Sequence, residues 1–209
     1  MAHTKNKASI YQVAGRILFL LSNTLETTSG KATLAKLRNS IGRDISQTVE
    51  VWPLVFENMP EEFLGVGSKS TAEERAVLHS LQLYALYQQG NSESVLMSSE
   101  EAKQKKKDNM GTWLATMRND EARLALDRRF NTMITASTYE ELLHYLRQML
   151  TLLKSKSKGS VKINFAKLSE DLYWYIRGYE DRIRIGWARE YYRFRKQENT
   201  EKEGVENEE

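Results

Sequence analysis

The stretch Arg118-Asn119-Asp120-Glu121-Ala122-Arg123-Leu124-Ala125-Leu126-Asp127-Arg128-Arg129-Phe130 decides how the rest of the chain is read. Its apolar residues recur at helical spacing and it holds neither Gly nor Pro, so it is predicted to be one helix. At about 100° per residue, Ala122, Leu126, Phe130 and Met133 line one stripe. Arg118 and Arg129 project near one edge of that stripe, with Arg128 further round on the polar side. Arg123 stands at the opposite edge, one turn from Asp127. A helix that buries one face and lines the other with arginines suits a polyanion. A solvated charged face has the same pattern, and the helix alone leaves both meanings open.

Outward from this helix, the chain has the composition of a helical protein. Its 209 residues suffice for one large or two small domains with a real core. With only 2 prolines, 11 glycines and runs rich in Leu, Ala, Glu, Lys and Arg, strand signals are nearly absent. The fold class is therefore expected to be all-α. The lack of cysteine removes disulfides, thiolate nucleophiles and thiolate metal sites together, and fits a reducing compartment. The longest apolar run, Ile17 to Leu21, is far too short to span a bilayer, and Met1-Ala2-His3-Thr4-Lys5 lacks a signal-peptide core. A cytoplasmic protein with no membrane partner is expected.

The formal charge of +3 is unevenly spread. The segment 198–209 holds six glutamates and one lysine, a net of −5, which leaves +8 on the remainder. That segment is expected to be a disordered acidic tail.

Ahead of it, residues 1–97 are expected to form one helical bundle and 110–197 another. Residues 98–109, with Lys103, Lys105, Lys106 and Lys107, lack periodicity and are expected to be a polar basic linker. In the first bundle a helix over 8–25 presents Ile10, Val13, Ala14, Ile17, Leu20 and Leu21, with Tyr11 and Leu18 extending the face, and a second over 31–40 ends near Gly42. Ser70-Thr71-Ala72-Glu73 and Ser137-Thr138-Tyr139-Glu140 read as capping boxes opening helices to about Gln89 and Lys154. Asn164 is expected to cap a helix to about Arg177. A last helix over 180–196 sets Ile183, Trp187, Tyr191 and Phe194 against a basic arc of Arg182, Arg189, Arg193 and Lys196.

Chemistry-bearing patterns are missing. His3, His79 and His144 form no ligand-spaced pair, so neither a metal nor a cofactor is expected. Nucleophile elbows, Walker loops and GxGxxG are absent, and Gly65-Val66-Gly67 lacks the rest of a phosphate-binding pattern. Catalysis is not expected; binding needs only cations held on rigid elements.

Several stretches in a fixed order carry a family resemblance. They are Leu34 to Arg43, Ala85 to Gly90, Asp120 to Phe130 with its continuation to Ser137, and Leu142 to Leu153. Val161 to Ala166, Asp171 to Trp174 and Trp187 to Tyr192 complete the series. The chain from about residue 10 to 195 resembles the CasB-type small subunit of the type I-E CRISPR Cascade complex. The resemblance implies two small helical bundles and no catalytic activity. It also implies partners: other Cascade subunits, a second copy of the chain, crRNA, and target DNA including the displaced strand. A basic surface would hold the R-loop through the nucleic-acid backbone.

Carried over to matching positions, the expected phosphate contacts are Lys36, Arg38 and Arg43 in the first half, and Arg118, Arg128, Arg129 and Arg147 in the second. Asn39 stands where the family pattern leads us to expect another basic residue. Arg123 falls to a second tier with Arg182, Arg189 and Arg193, because its place near Asp127 equally suits an internal ion pair. Against this stands a purely structural adaptor, whose arginines meet acidic protein surfaces and never touch nucleic acid.

Overall fold

The computed structural model describes residues 8–119 and 121–206, with side chains through 193. Among these residues every element is helical: ten α-helices and three short 3-10 turns. They assemble into two compact units. One takes the described residues up to Leu96 together with Asn164–Gly178; the other takes Met97–Ile163 and the residues from Tyr179 onward. The units are therefore not the consecutive blocks 1–97 and 110–197, since the chain returns to the first unit after building most of the second.

The first unit is built around α4 (Ala72–Gln88), with α1 (Ile10–Ser22), α2 (Thr28–Asn39), the short α3 (Trp52–Phe56) and α9 (Phe165–Ile176). Ala76, Val77, Leu78, Leu81, Leu83, Tyr84, Ala85 and Tyr87 of α4 are all buried. A helix apolar on all sides must be enclosed, and α1, α2 and α9 enclose it. Polar groups on α4 tie the packing in register. The Ser80 hydroxyl donates to the Phe165 carbonyl at 2.7 Å, and Gln82 Nε2 donates to the Ser40 carbonyl at 2.8 Å. Pro53 sits in the first turn of α3, where its missing N–H costs nothing. Leu20 was expected inside but is exposed along with Phe19, whereas Leu18, expected to extend the apolar face, is buried.

The second unit holds α5 (Ser99–Gln104), α6 (Met110–Ala115), α7 (Arg123–Ile134), α8 (Tyr139–Ser157) and α10 (Glu180–Glu206). Segment 98–109 is thus not a bare linker: Ser98 caps α5 in a capping box with Glu101, and the lysines at 105–107 follow the helix. Met97 N–H donates to the Ile163 carbonyl at 3.1 Å. Gly111 lets α6 lie directly on the backbone of α10, for a Cβ there would stand 1.9 Å from the Trp187 carbonyl oxygen. Leu126, Phe130 and Met133 of α7 meet the apolar stripe Leu142, Leu146, Met149, Leu150 and Leu153 of α8, all buried.

Two sequence expectations need correcting here. The stretch 118–130 is not one helix: α6 ends at Ala115 and α7 starts only at Arg123. Between them the Asn119 side chain accepts the Ala122 N–H at 2.9 Å, a local bond that competes with helical continuation. The last helix also outruns its apolar face. It continues through Glu206, across most of the expected disordered tail, in residues of good helix propensity such as Glu, Lys and Gln. Residues 207–209, and the side chains of Phe194, Lys196 and the glutamates of 198–209, lie outside the described ones.

Candidate nucleic-acid interface

The arginines of the second unit divide into those that hold the fold and those that stand exposed. Arg118, in the turn between α6 and α7, is of the first kind: its side chain is 8% exposed. Its Nε donates to Asp127 Oδ1 at 2.8 Å and its Nη2 to Oδ2 at 3.0 Å, a bidentate pair. Its Nη1 donates to the Tyr191 carbonyl at 3.4 Å, and its guanidinium lies 4.9 Å from the Tyr191 ring centroid. Burial works against its charge, but the Asp127 hydrogen bonds and charge outweigh it and raise the guanidinium pKa above its ordinary value. Tyr191 completes the hub by donating its hydroxyl to Asp127 Oδ1 at 3.0 Å while its ring stacks on Phe130 at 3.7 Å. Burial, then that hydrogen bond, pushes the Tyr191 pKa up.

Arg118 has taken the internal role the sequence offered to Arg123. Arg123 is exposed and has no side-chain partner among the described residues. As the first residue of α7 it has no preceding turn, so the i,i+4 relation to Asp127 exists but the carboxylate is already spoken for on its other side.

Arg128 and Arg129 are exposed on α7, and Arg147 is exposed on α8. The packing of α7 on α8 sets Arg129 and Arg147 into one groove of about 510 Å³. His144, Gln148, Thr151, Leu152 and Ser155 line the remainder, and no carboxylate lines it. Sequence reasoning missed the polar members. Their signal was there: 144, 147, 148, 151 and 155 recur at three- and four-residue spacing, one face of a helix. Gln148 Nε2 and His144 Nε2 stand 2.8 Å apart, which fixes the two side chains relative to each other.

On α10, Arg182 and Arg189 are exposed without side-chain partners among the described residues, whereas Arg193 is bound to both Glu190 oxygens at 2.7 and 2.8 Å.

In the first unit the three expected contacts do not share a surface. Arg43 pairs with Glu50, and the charge of Lys36 also reaches that carboxylate. Glu50 titrates below its ordinary value, chiefly through a backbone hydrogen bond and then through Arg43. Arg38 lies two residues from Lys36, about 200° round α2. It lines a different groove of about 390 Å³, which Glu26 and Lys31 share. The first-unit candidates are therefore partly neutralised and divergent, and the second unit carries the stronger cationic surface.

Among the described residues no three His, Asp or Glu side chains converge as metal ligands would, and no helix is long and apolar enough to cross a membrane.

Among the described residues these features define an all-helical fold with an arginine-lined groove as its candidate site. The family model described as CRISPR-associated protein Cse2 matches residues 33–192, and the chain belongs to that family. The fold is similar to the crystal structure of CasB from Thermobifida fusca, with a TM-score of 0.64 and 21% identity over 87% of this chain and 97% of that one. It is also similar to a chain of a CRISPR RNA-guided surveillance complex, with a TM-score of 0.66 and 18% identity over 92% of this chain and 99% of that one. No curated protein matches the chain. The CasB-type resemblance seen in the sequence thus holds at the level of family and fold.

Proposed function

We propose that the chain is a non-catalytic small subunit of a type I-E Cascade surveillance complex, working in the cytoplasm beside other Cascade subunits and a second copy of itself. It binds the nucleic-acid backbone without reading sequence and stabilises the crRNA-guided R-loop, the displaced strand included. One observation carries this: α7 and α8 present Arg129 and Arg147 to a single groove that no carboxylate lines. Membership of the Cse2 family supports the assembly.

The physics suits the task. Exchanging a DNA duplex for an RNA–DNA duplex is close to balance, so a few protein–backbone contacts tip it. From His144 to Ser155 the groove follows α8 for about 16 Å, at about 1.5 Å per residue. That length spans about five phosphates of a strand held at duplex spacing, about 3.4 Å each along the axis. Arg128 and Arg129 on α7 and Arg147 on α8 are the principal contacts. Arg123, Arg182 and Arg189 form an outer tier, and Lys36, Arg38 and Arg43 make a weaker, separate contribution. Arg118 leaves the contact set, since its guanidinium is committed to Asp127.

The test is a gel shift of single- and double-stranded DNA by the isolated protein at low salt. Arg128→Glu with Arg129→Glu is expected to lower affinity at least tenfold while the helical circular dichroism stays unchanged. Arg147→Glu is expected to do the same from the opposite wall. Unchanged affinity in both would overturn the site, and no binding by the wild type would leave the structural adaptor standing.

A further inference from the structure

Tyr192 is the aromatic ring of the second unit that this basic surface does not yet explain. It is 42% exposed on α10, yet it is held rather than solvated. Its hydroxyl donates to Asn131 Oδ1 at 2.7 Å, and its ring stands edge-on to Tyr191 at 5.1 Å and to Phe130 at 6.0 Å, both at 88°. The buried guanidinium of Arg118 lies over the ring, 5.2 Å from its centroid, so the solvent-facing side is the other one.

Its surroundings are cationic. Arg189 precedes it by three residues on α10, and Arg128 precedes its partner Asn131 by three on α7, so each falls on the same side as the residue it precedes. The nearest acid in sequence, Glu190, is bound to Arg193. At about 100° per residue, the exposed arc of α7 runs from Asn131 through Arg128 to Arg129 over about 160°. A strand lying in the Arg129–Arg147 groove that crosses α7 past Arg128 thus arrives at Tyr192.

From this we infer that Tyr192 is a stacking platform for an unpaired nucleobase, so that the basic surface takes single-stranded nucleic acid in preference to duplex. The inference rests on the nucleic-acid reading above and adds to it the class of ligand. An aromatic face fixed beside arginines is how single strands are gripped without sequence preference, because every base has a π-face while a duplex hides its own. A rigid ring also gives up little conformational freedom on binding.

The probe is a fluorescently labelled thymidine 20-mer, compared by anisotropy with an abasic oligonucleotide of the same length and charge. The wild-type protein is expected to bind the thymidine strand about 5- to 100-fold more tightly than the abasic one. Tyr192→Leu is expected to remove that preference while leaving abasic binding and the salt slope alone, and Tyr192→Phe to keep most of it. Equal wild-type affinity for the two strands overturns the inference while the phosphate groove survives. An equal loss on both strands in Tyr192→Leu overturns it too, as a merely structural effect. Binding of neither strand by the wild type overturns the nucleic-acid reading and this inference together. Should Tyr192→Leu fail to fold, the wild-type comparison and Tyr192→Phe decide.

Discussion

Replacing Asp127 by alanine isolates what the second unit invests in its buried ion pair. The substitution removes the acceptor of three hydrogen bonds, from Arg118 Nε at 2.8 Å, Arg118 Nη2 at 3.0 Å and the Tyr191 hydroxyl at 3.0 Å. What remains is a guanidinium 8% exposed, with the Tyr191 carbonyl at 3.4 Å as its hydrogen-bond acceptor. A buried charge stripped of its partner costs about 3–5 kcal/mol, far more than a surface pair returns. With a urea dependence of about 2–3 kcal/mol per molar, the unfolding midpoint falls by roughly 1–2 M. Tryptophan fluorescence is the assay, because Trp113 and Trp187 are buried in the same unit. Arg118→Met combined with Asp127→Leu should recover much of the loss, since neither charge is then left alone. Arg123→Ala should stay within about 0.5 kcal/mol of the wild type. A cost below about 1 kcal/mol for Asp127→Ala, or one matched by Arg123→Ala, would refute the assignment of Arg118 as the internal partner.

Two further perturbations test the frame around the site. The pKa of His79 is lowered to about 4 from 6.5 by burial and then by the charge of Arg75. Between those values the unfolded chain binds the proton and the folded chain does not, so stability falls as pH drops from about 6.5 to about 4, by up to about 3 kcal/mol. Urea titrations across that range should show His79→Gln losing less stability than the wild type, and parallel curves would refute it. Gly111→Ala forces a Cβ to 1.9 Å from the Trp187 carbonyl oxygen and should cost at least about 2 kcal/mol by prising α6 off α10. A thermal midpoint within 2 °C of the wild type would contradict that packing.

The helical class was legible because nearly every signal in the chain agrees with it, down to the helical spacing of the buried Leu142, Leu146, Met149, Leu150 and Leu153 of α8. Helix starts were read one residue early, for a physical reason. Glutamates at both 73 and 74, and at both 140 and 141, let two neighbouring residues satisfy the same capping pattern. The structure settles on Thr71 because its hydroxyl also donates to the Phe63 carbonyl at 2.7 Å, and Glu74 also accepts the Gly65 N–H at 2.9 Å. Thr138 likewise caps α8 by accepting the Glu141 N–H at 3.1 Å. Such choices depend on loops distant in sequence, which local patterns do not contain.

The candidate site was legible in part for the same reason. Arg129 and Arg147 were individually conspicuous, but their meeting in one groove depends on how α7 packs on α8. Arg118 and Arg123 exchanged roles because a helical wheel assumes a continuous helix, and the chain breaks before Arg123. The membership of α9 in the first unit had no local signal at all, since its apolar face fits either half.

That membership has a consequence for how the protein is made. The face of α4 that receives α9 is finished early on the ribosome, but its cover lies beyond the intervening segment Met97–Ile163. At about 5–20 residues per second, those 67 residues impose a wait of roughly 3–13 s during which Ser80, Tyr84 and Tyr87 lack the Phe165 that covers them. The first unit to be started therefore cannot close until most of the second has been made. A nascent chain stalled between Gln88 and Asn164 presents an open apolar helix to whatever chaperone or neighbouring chain is at hand.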